Sequence, residues 1–210
     1  MPQLGNLGIK RGKRAMAKAA NRRAILDAAR TVFARLGYEA ASIRDIIRET
    51  DLASGTFYNY FKSKEEVFEA IADDSVRRFR PLLQNVRETA RNLEEYLLAA
   101  YGAYFHFLAN ENDEAIRDDV PHPGLIGVRI DTPEMDSISR EIRADLELVL
   151  MKTGHAHIDT DYLTAAAIGI AREMGDHMLS RRPVDADAAA RFATTLVLAG
   201  SDALMARSGE

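Results

Sequence analysis

Residues 42–64, SIRDIIRETDLASGTFYNYFKSK, leave this chain few ways to fold. Ser42 and Asp45 stand in an S-x-x-D arrangement, in which each side chain satisfies a free backbone N–H at a helix start. Ile43, Ile46 and Ile47 then share one face at three- and four-residue spacing, while Arg44 and Arg48 share another. A weakly helical stretch over residues 50–53 separates this helix from a second short one, expected over residues 54–61. There Phe57 and Phe61 point inward, which leaves Ser54, Gly55, Thr56, Tyr58, Asn59 and Tyr60 as a polar and aromatic surface without an acid. Helix, tight turn and helix with a non-acidic exposed face is the geometry of a helix-turn-helix entering the major groove of duplex DNA.

Charge supports a polyanion partner only when it is read locally. The net charge of the 210 residues is −4. Residues 1–64, however, hold thirteen Lys and Arg against five Asp and Glu, a net of +8, and the remainder carries −12. Such asymmetry is the footprint of a localised basic surface. The basic start, with Lys10, Arg11, Lys13, Arg14 and Lys18, has almost nothing to bury and reads as a flexible arm over residues 1–20. It either contributes phosphate or minor-groove contacts or acts as a solubilising tail. An apolar stripe of Ile25, Ala28, Ala29, Val32, Phe33 and Leu36 predicts a buttressing helix over residues 22–36, ended by Gly37.

The motif resembles the DNA-binding signature of the tetracycline-repressor (TetR) family of bacterial transcription regulators. It is carried by Ile43–Arg44–Asp45–Ile46, Gly55–Thr56–Phe57–Tyr58, Tyr60–Phe61 and Ser63–Lys64–Glu65, and covers about the first third of the chain. The resemblance implies an all-α homodimer: an amino-terminal three-helix DNA-binding domain, joined by a long helix to a carboxy-terminal helical bundle that binds ligand and dimerises. It further implies that the long helix transmits ligand binding to the DNA-reading heads. The matched positions imply phosphate contacts from Thr56, Tyr58, Tyr60 and Lys64, with Ser54, Gly55 and Asn59 closest to base edges. Ser42 and Arg44, from the preceding helix, suit a phosphate and a phosphate or guanine edge respectively. The chain departs from the pattern at Thr50–Asp51, where alanine–glycine is usual, and at Ala53, where a capping serine is usual. A lost cap costs about 1 kcal/mol unless Ser54 takes over and shifts the helix start by one residue.

Domains are expected at residues 21–66 for DNA binding and 67–210 for ligand binding and dimerisation. Ser63 and Glu66 form a second capping box opening a helix to about residue 91, with Pro81 expected to kink or interrupt it. Apolar helices are expected over 92–110, from Thr132–Pro133 to Gly154, from Asp159 or Asp161 to about residue 182, and from Asp185 to about residue 207. Residues 111–132, with Pro121, Pro123, Gly124 and Gly127, read as loop with at most a short helix at 113–119. The last two helices are rich in small residues and apolar on more than one face, which predicts a symmetric helix-pair dimer interface.

Polar insertions in the bundle walls point to an effector pocket lined by Tyr101, Tyr104, Phe105, Phe107, Tyr162, Arg172, Met174 and His177. The alternative for each is a satisfied core or interface residue. The run from Gly154 to Asp161, with H-x-H-x-D, lacks the preceding strand and the later ligands of a metal-dependent hydrolase. An interhelical loop with Asp159 as helix cap is the better reading, and neither metal nor cofactor is expected. The chain holds no cysteine and no apolar run of membrane-spanning length, consistent with a cytoplasmic protein. The leading reading is a non-enzymatic repressor of a near-palindromic operator, released by a small apolar or amphipathic effector. The competing reading is a helical-bundle enzyme or metal protein with an incidental helix-turn-helix, and no convergent Glu-x-x-His pairs favour it.

Overall fold

A computed structural model describes residues 5–117, 132–153 and 158–207. The described residues are helical and divide into two compact units, residues 1–71 and 72–210. Unit 1 contains α1 (Gly5–Leu36), α2 (Ile43–Arg48), α3 (Ser54–Tyr58) and the first turns of α4 (Lys64–Thr89). Unit 2 contains the rest of α4, then α5 (Leu93–Glu111), α6 (Asp113–Arg117), α7 (Pro133–Lys152), α8 (Thr160–Leu179) and α9 (Ala186–Arg207).

In unit 1 the predicted stripe of α1 is the core except at its last position: Ile25, Ala29, Val32 and Phe33 are wholly or almost wholly buried, together with Ile46, Phe57, Phe61 and Val67, whereas Leu36 is 41% exposed. Each such side chain stabilises by about 1.5–3 kcal/mol. Gly37 ends α1 at φ 77°, and its N–H bonds the Phe33 carbonyl at 2.9 Å. Only a residue without Cβ takes that conformation at no cost. Phe33, Tyr38 and Phe68 form a trio of rings with centroids 4.8–5.7 Å apart. Because Val67, Phe68 and Ala70 are buried, the compact unit runs to Ile71 instead of stopping at residue 66.

The amino-terminal arm is a correction. Residues 5–20 are the first turns of α1, not a flexible segment. The physical reason is propagation: a helix nucleated by its packed half extends cheaply through Ala15, Ala17, Ala19, Ala20 and the intervening Lys and Met, all strong helix formers. Absence of anything to bury does not prevent a helix that is already nucleated.

Within unit 2, α5 packs most extensively against α9 and also meets α7 and α8. Leu93, Tyr96, Leu97, Tyr101 and Phe105 bury one side of α5 among Leu83, Leu146, Leu150, Leu179 and Ala193. The caps read at Thr132 and Asp159 are present, accepting from the backbone N–H groups of Met135 and of both Asp161 and Tyr162, and Asn92, expected as the first helical residue, instead caps α5 by accepting from Glu95 N–H. Asp185 accepts from Ala188 N–H at 2.8 Å. α4 continues through Pro81 without interruption. The loop expected around Pro121–Gly127 and the two histidines of the H-x-H motif lie outside the described residues.

Candidate nucleic-acid interface

α2 begins with the full capping box: Asp45 N–H bonds the Ser42 hydroxyl, and Ser42 N–H bonds the Asp45 carboxylate at 3.0 Å. The Ser42 hydroxyl donates to the same carboxylate at 2.5 Å, which holds Asp45 below the usual carboxylate range. Ser42 is exposed, but its proton is already committed to the cap. Arg44 is exposed and has no carboxylate partner among the described residues. The turn between α2 and α3 is closed by Thr50, whose hydroxyl donates to the Ile47 carbonyl and accepts from Leu52 N–H. Thr50 therefore ties a turn for which glycine is the usual solution.

Ala53 is the N-cap of α3 and makes no side-chain cap bond, so Ser54 neither replaces it nor shifts the helix. The helix ends at Tyr58, earlier than expected, and bonds from Tyr60 and Phe61 N–H to the Phe57 carbonyl continue the coil. Phe57 and Phe61 face inward, while Ser54, Gly55, Tyr58 and Asn59 are exposed and Thr56 and Tyr60 half-buried. Tyr58 is 56% exposed, its ring edge-on to Phe57 at 5.5 Å, which holds a large phenol upright on the surface. A Cβ on Gly55 would meet nothing within 4 Å, so the space there is open to an approaching molecule.

Lys64 departs from its expected role. Its ammonium donates to the carbonyls of Tyr38, Ala41 and Glu39 at 2.8, 3.2 and 3.4 Å and lies 4.4 Å from the Tyr38 ring centroid. All three protons of a lysine are thereby engaged inside the protein. Lys64 ties the loop after α1 to the start of α4, and phosphate contact is not what this conformation provides. The Tyr38 hydroxyl donates to Glu65, and burial, aided by that carboxylate, pushes Tyr38 up to about 12.

Sequence reasoning offered Arg14 and Lys18 only as part of a flexible arm that either touches DNA or solubilises, and did not offer Asn21. With Ala17 they line an open cleft of about 450 Å³ whose other wall is Asn59 and Tyr60. The signal available was the i, i+3, i+4, i+7 spacing of these four positions, legible only if the arm is helical.

Residues 25–71 match the family described as bacterial regulatory proteins, tetR family. The match covers less than a quarter of the chain and takes in the whole helix-turn-helix. The chain is 31% identical over 90 residues to the transcriptional repressor KstR2 of Rhodococcus jostii, covering 41% of this chain and 44% of that one. It is 28% identical over 92 residues to the fatty acid metabolism regulator protein of Bacillus subtilis, covering 44% and 47%. The alignments span less than half the length of these curated relatives. The likeness of fold extends further: FadR of Bacillus halodurans superposes with a TM-score of 0.69 at 22% identity over 86% of this chain and 95% of that one. FadR of Bacillus subtilis, solved with stearoyl-CoA, gives 0.69 at 19% identity over 85% and 98%. At these identities the likeness is one of fold.

The expected pocket residues of unit 2 divide. Tyr101 and Phe105 are core, the Tyr101 hydroxyl donating to the Ala167 carbonyl at 3.1 Å, and burial raises that phenol. Tyr104, Phe107, Arg172 and Met174 are half-buried, whereas Tyr162 is 79% exposed and His177 is exposed. Tyr104 meets the Phe79 ring edge-on at 5.6 Å, and Phe107 meets it tilted at 5.7 Å. Burial pushes the Tyr104 phenol up to about 12 against the opposing charge of Arg172. Beside them a Cβ at Gly175 would stand 2.6 Å from a Leu108 methyl. Tyr162 and His177 are therefore withdrawn as pocket walls. Helix periodicity placed them on α8 without saying which face α5 would cover.

Proposed function

We propose that this chain is a DNA-binding transcriptional repressor that acts in the cytoplasm as a homodimer on a near-palindromic operator. The observation that carries this reading is the exposed, acid-free surface of Ser54, Gly55, Tyr58 and Asn59, set on a helix pair anchored by buried Ile46 and Phe57. Asn59 is the residue able to pair bidentately with an adenine, and Arg44 and Tyr58 reach phosphates or flanking bases.

Dimerisation through α8 and α9 is supported by large apolar side chains that stand exposed on the protomer. Phe192 and Leu196 on α9 are 64% and 52% exposed and lie four residues apart. A methyl group at Gly169 or Gly200 would meet no atom within 4 Å, so neither glycine serves packing inside one chain. Two copies packed through these helices give both observations a purpose.

An amphipathic effector with an apolar tail suits the aromatic set Phe79, Tyr104 and Phe107 beside Arg172. The Bacillus subtilis FadR structure, solved with stearoyl-CoA, is an example of such a ligand on this fold. Release from DNA then follows from differential affinity of the effector for two arrangements of the dimer.

The test is selection of duplexes from a genomic library at low ionic strength, followed by titration of the recovered sequence. The full-length protein recovers a two-fold related sequence, and Asn59→Ala loses about 1–3 kcal/mol of discrimination at one base pair per half-site. Failure to enrich any duplex, with candidate ligands present or absent, defeats the reading.

A further inference from the structure

The geometry points to a second DNA-binding element in the same head: the amino-terminal turns of α1 and the end of α3 form a clamp for the phosphates of one strand. This rests on the DNA-binding reading and adds to it a surface outside the helix pair. α1 is 32 residues long, yet its buried stripe begins only at Ile25. Residues 13–20 are exposed throughout, so core packing does not explain this stretch of helix. Residues 1–26 contain seven Lys and Arg and no acid. Arg14, Lys18 and Arg22 follow one another at four-residue spacing, where like charges destabilise an isolated helix by about 0.2–0.5 kcal/mol per pair. A polyanion relieves that repulsion.

The placement of this face selects the polyanion. Arg14, Ala17, Lys18 and Asn21 look across the cleft at Asn59 and Tyr60, and Arg22, one turn on, lies over the Phe61 ring at 5.4 Å. The lining thus offers two cations, two amides and a phenol, with no carboxylate, and the small Ala17 side chain leaves room at its floor. Neither Arg14 nor Lys18 has a carboxylate partner among the described residues. The opposite wall includes the residue proposed to read bases, so a strand whose bases meet Asn59 passes its backbone beside Arg14 and Lys18. Contacts of this kind add affinity without sequence information.

The experiment compares the full-length protein with Arg14→Gln/Lys18→Gln, which keeps helix-forming side chains and removes two charges. Anisotropy titrations use the selected duplex and a scrambled duplex over a range of KCl. Loss of two phosphate contacts reduces the slope of log K against log salt by about 1.8 and weakens binding about 60-fold at 0.1 M salt. Both duplexes lose affinity alike, so their ratio is preserved. Arg23→Gln, which removes an exposed charge 3.9 Å from Asp27 and off the cleft, leaves the slope close to wild type. An unchanged slope in the double variant, an equal fall in Arg23→Gln, or a loss confined to the selected duplex each overturns the clamp. If the wild-type protein binds no duplex at all, the functional reading itself falls.

Discussion

In unit 1 the cations of the outward face, Arg14, Lys18 and Arg44, stand without carboxylate partners among the described residues, and the one buttressed inside, Lys64, is held by carbonyls. In unit 2 the pattern inverts. Arg80 pairs with Glu134 and Glu141 across α4 and α7, and Arg87 pairs with Asp145, which also accepts from Tyr96. There these charges satisfy one another, and large apolar side chains stand exposed instead, on α9 above all. What each unit leaves unsatisfied indicates its partner: unpaired cations call for a polyanion, and uncovered apolar side chains call for another apolar face.

The largest break in this contrast comes from α9. Leu196→Asp with Phe192→Asp raises the dimer dissociation constant by a thousandfold or more, ~4 kcal/mol, because every copy brings both charges to the interface. Sedimentation that still shows a dimer at micromolar protein moves the interface elsewhere. Next is the Arg87–Asp145 pair. Asp145 is 4% exposed, and Arg87→Ala leaves that carboxylate facing only the Tyr96 hydroxyl, at a cost of about 3 kcal/mol in urea unfolding. A change below about 0.5 kcal/mol would mean that water replaces the guanidinium.

Lys64→Met sharpens the comparison within unit 1. Removing three carbonyl bonds and the Tyr38 ring contact costs about 1–2 kcal/mol of stability, while the salt slope of DNA binding changes much less than in the Arg14/Lys18 variant. An equal drop in slope would restore Lys64 as a phosphate contact. The smallest effect is on Asp176, which burial, with Glu173 adding, pushes to about 6. The folded state holds this proton more tightly than the unfolded chain, so the site favours folding at low pH and loses that contribution as pH rises through about 6. Asp176→Asn flattens stability between about pH 4 and 6 and gains about 1 kcal/mol at pH 7, allowing for solvent screening at a part-exposed group. A slope identical to wild type would clear Asp176 of the effect.

How much was legible follows from the range of each interaction. The caps at Ser42, Thr132 and Asp159 and the glycine stop at Gly37 join residues at most four apart, and each is present as read. The apolar stripe of α1 and the inward pair Phe57 and Phe61 were legible too, because periodicity names a face. What periodicity does not name is the neighbour. Tyr162 and Tyr104 look alike as aromatic residues on apolar helices, yet one is exposed and the other enclosed. The arm was misread because composition reports what a segment can bury, not whether an adjacent helix will extend into it.

The order of residues alone therefore determined that the chain is helical, where most helices lie and how several of them are capped, since these rest on local hydrogen bonds and on which side of a helix is apolar. Only the tertiary structure decided which cation is engaged and which is available. Lys64 meets carbonyls 23–26 positions earlier, and Arg14 comes to face Asn59 across a cleft. Charges that distant in sequence acquire a pairing only when packing of the core between them sets the distance.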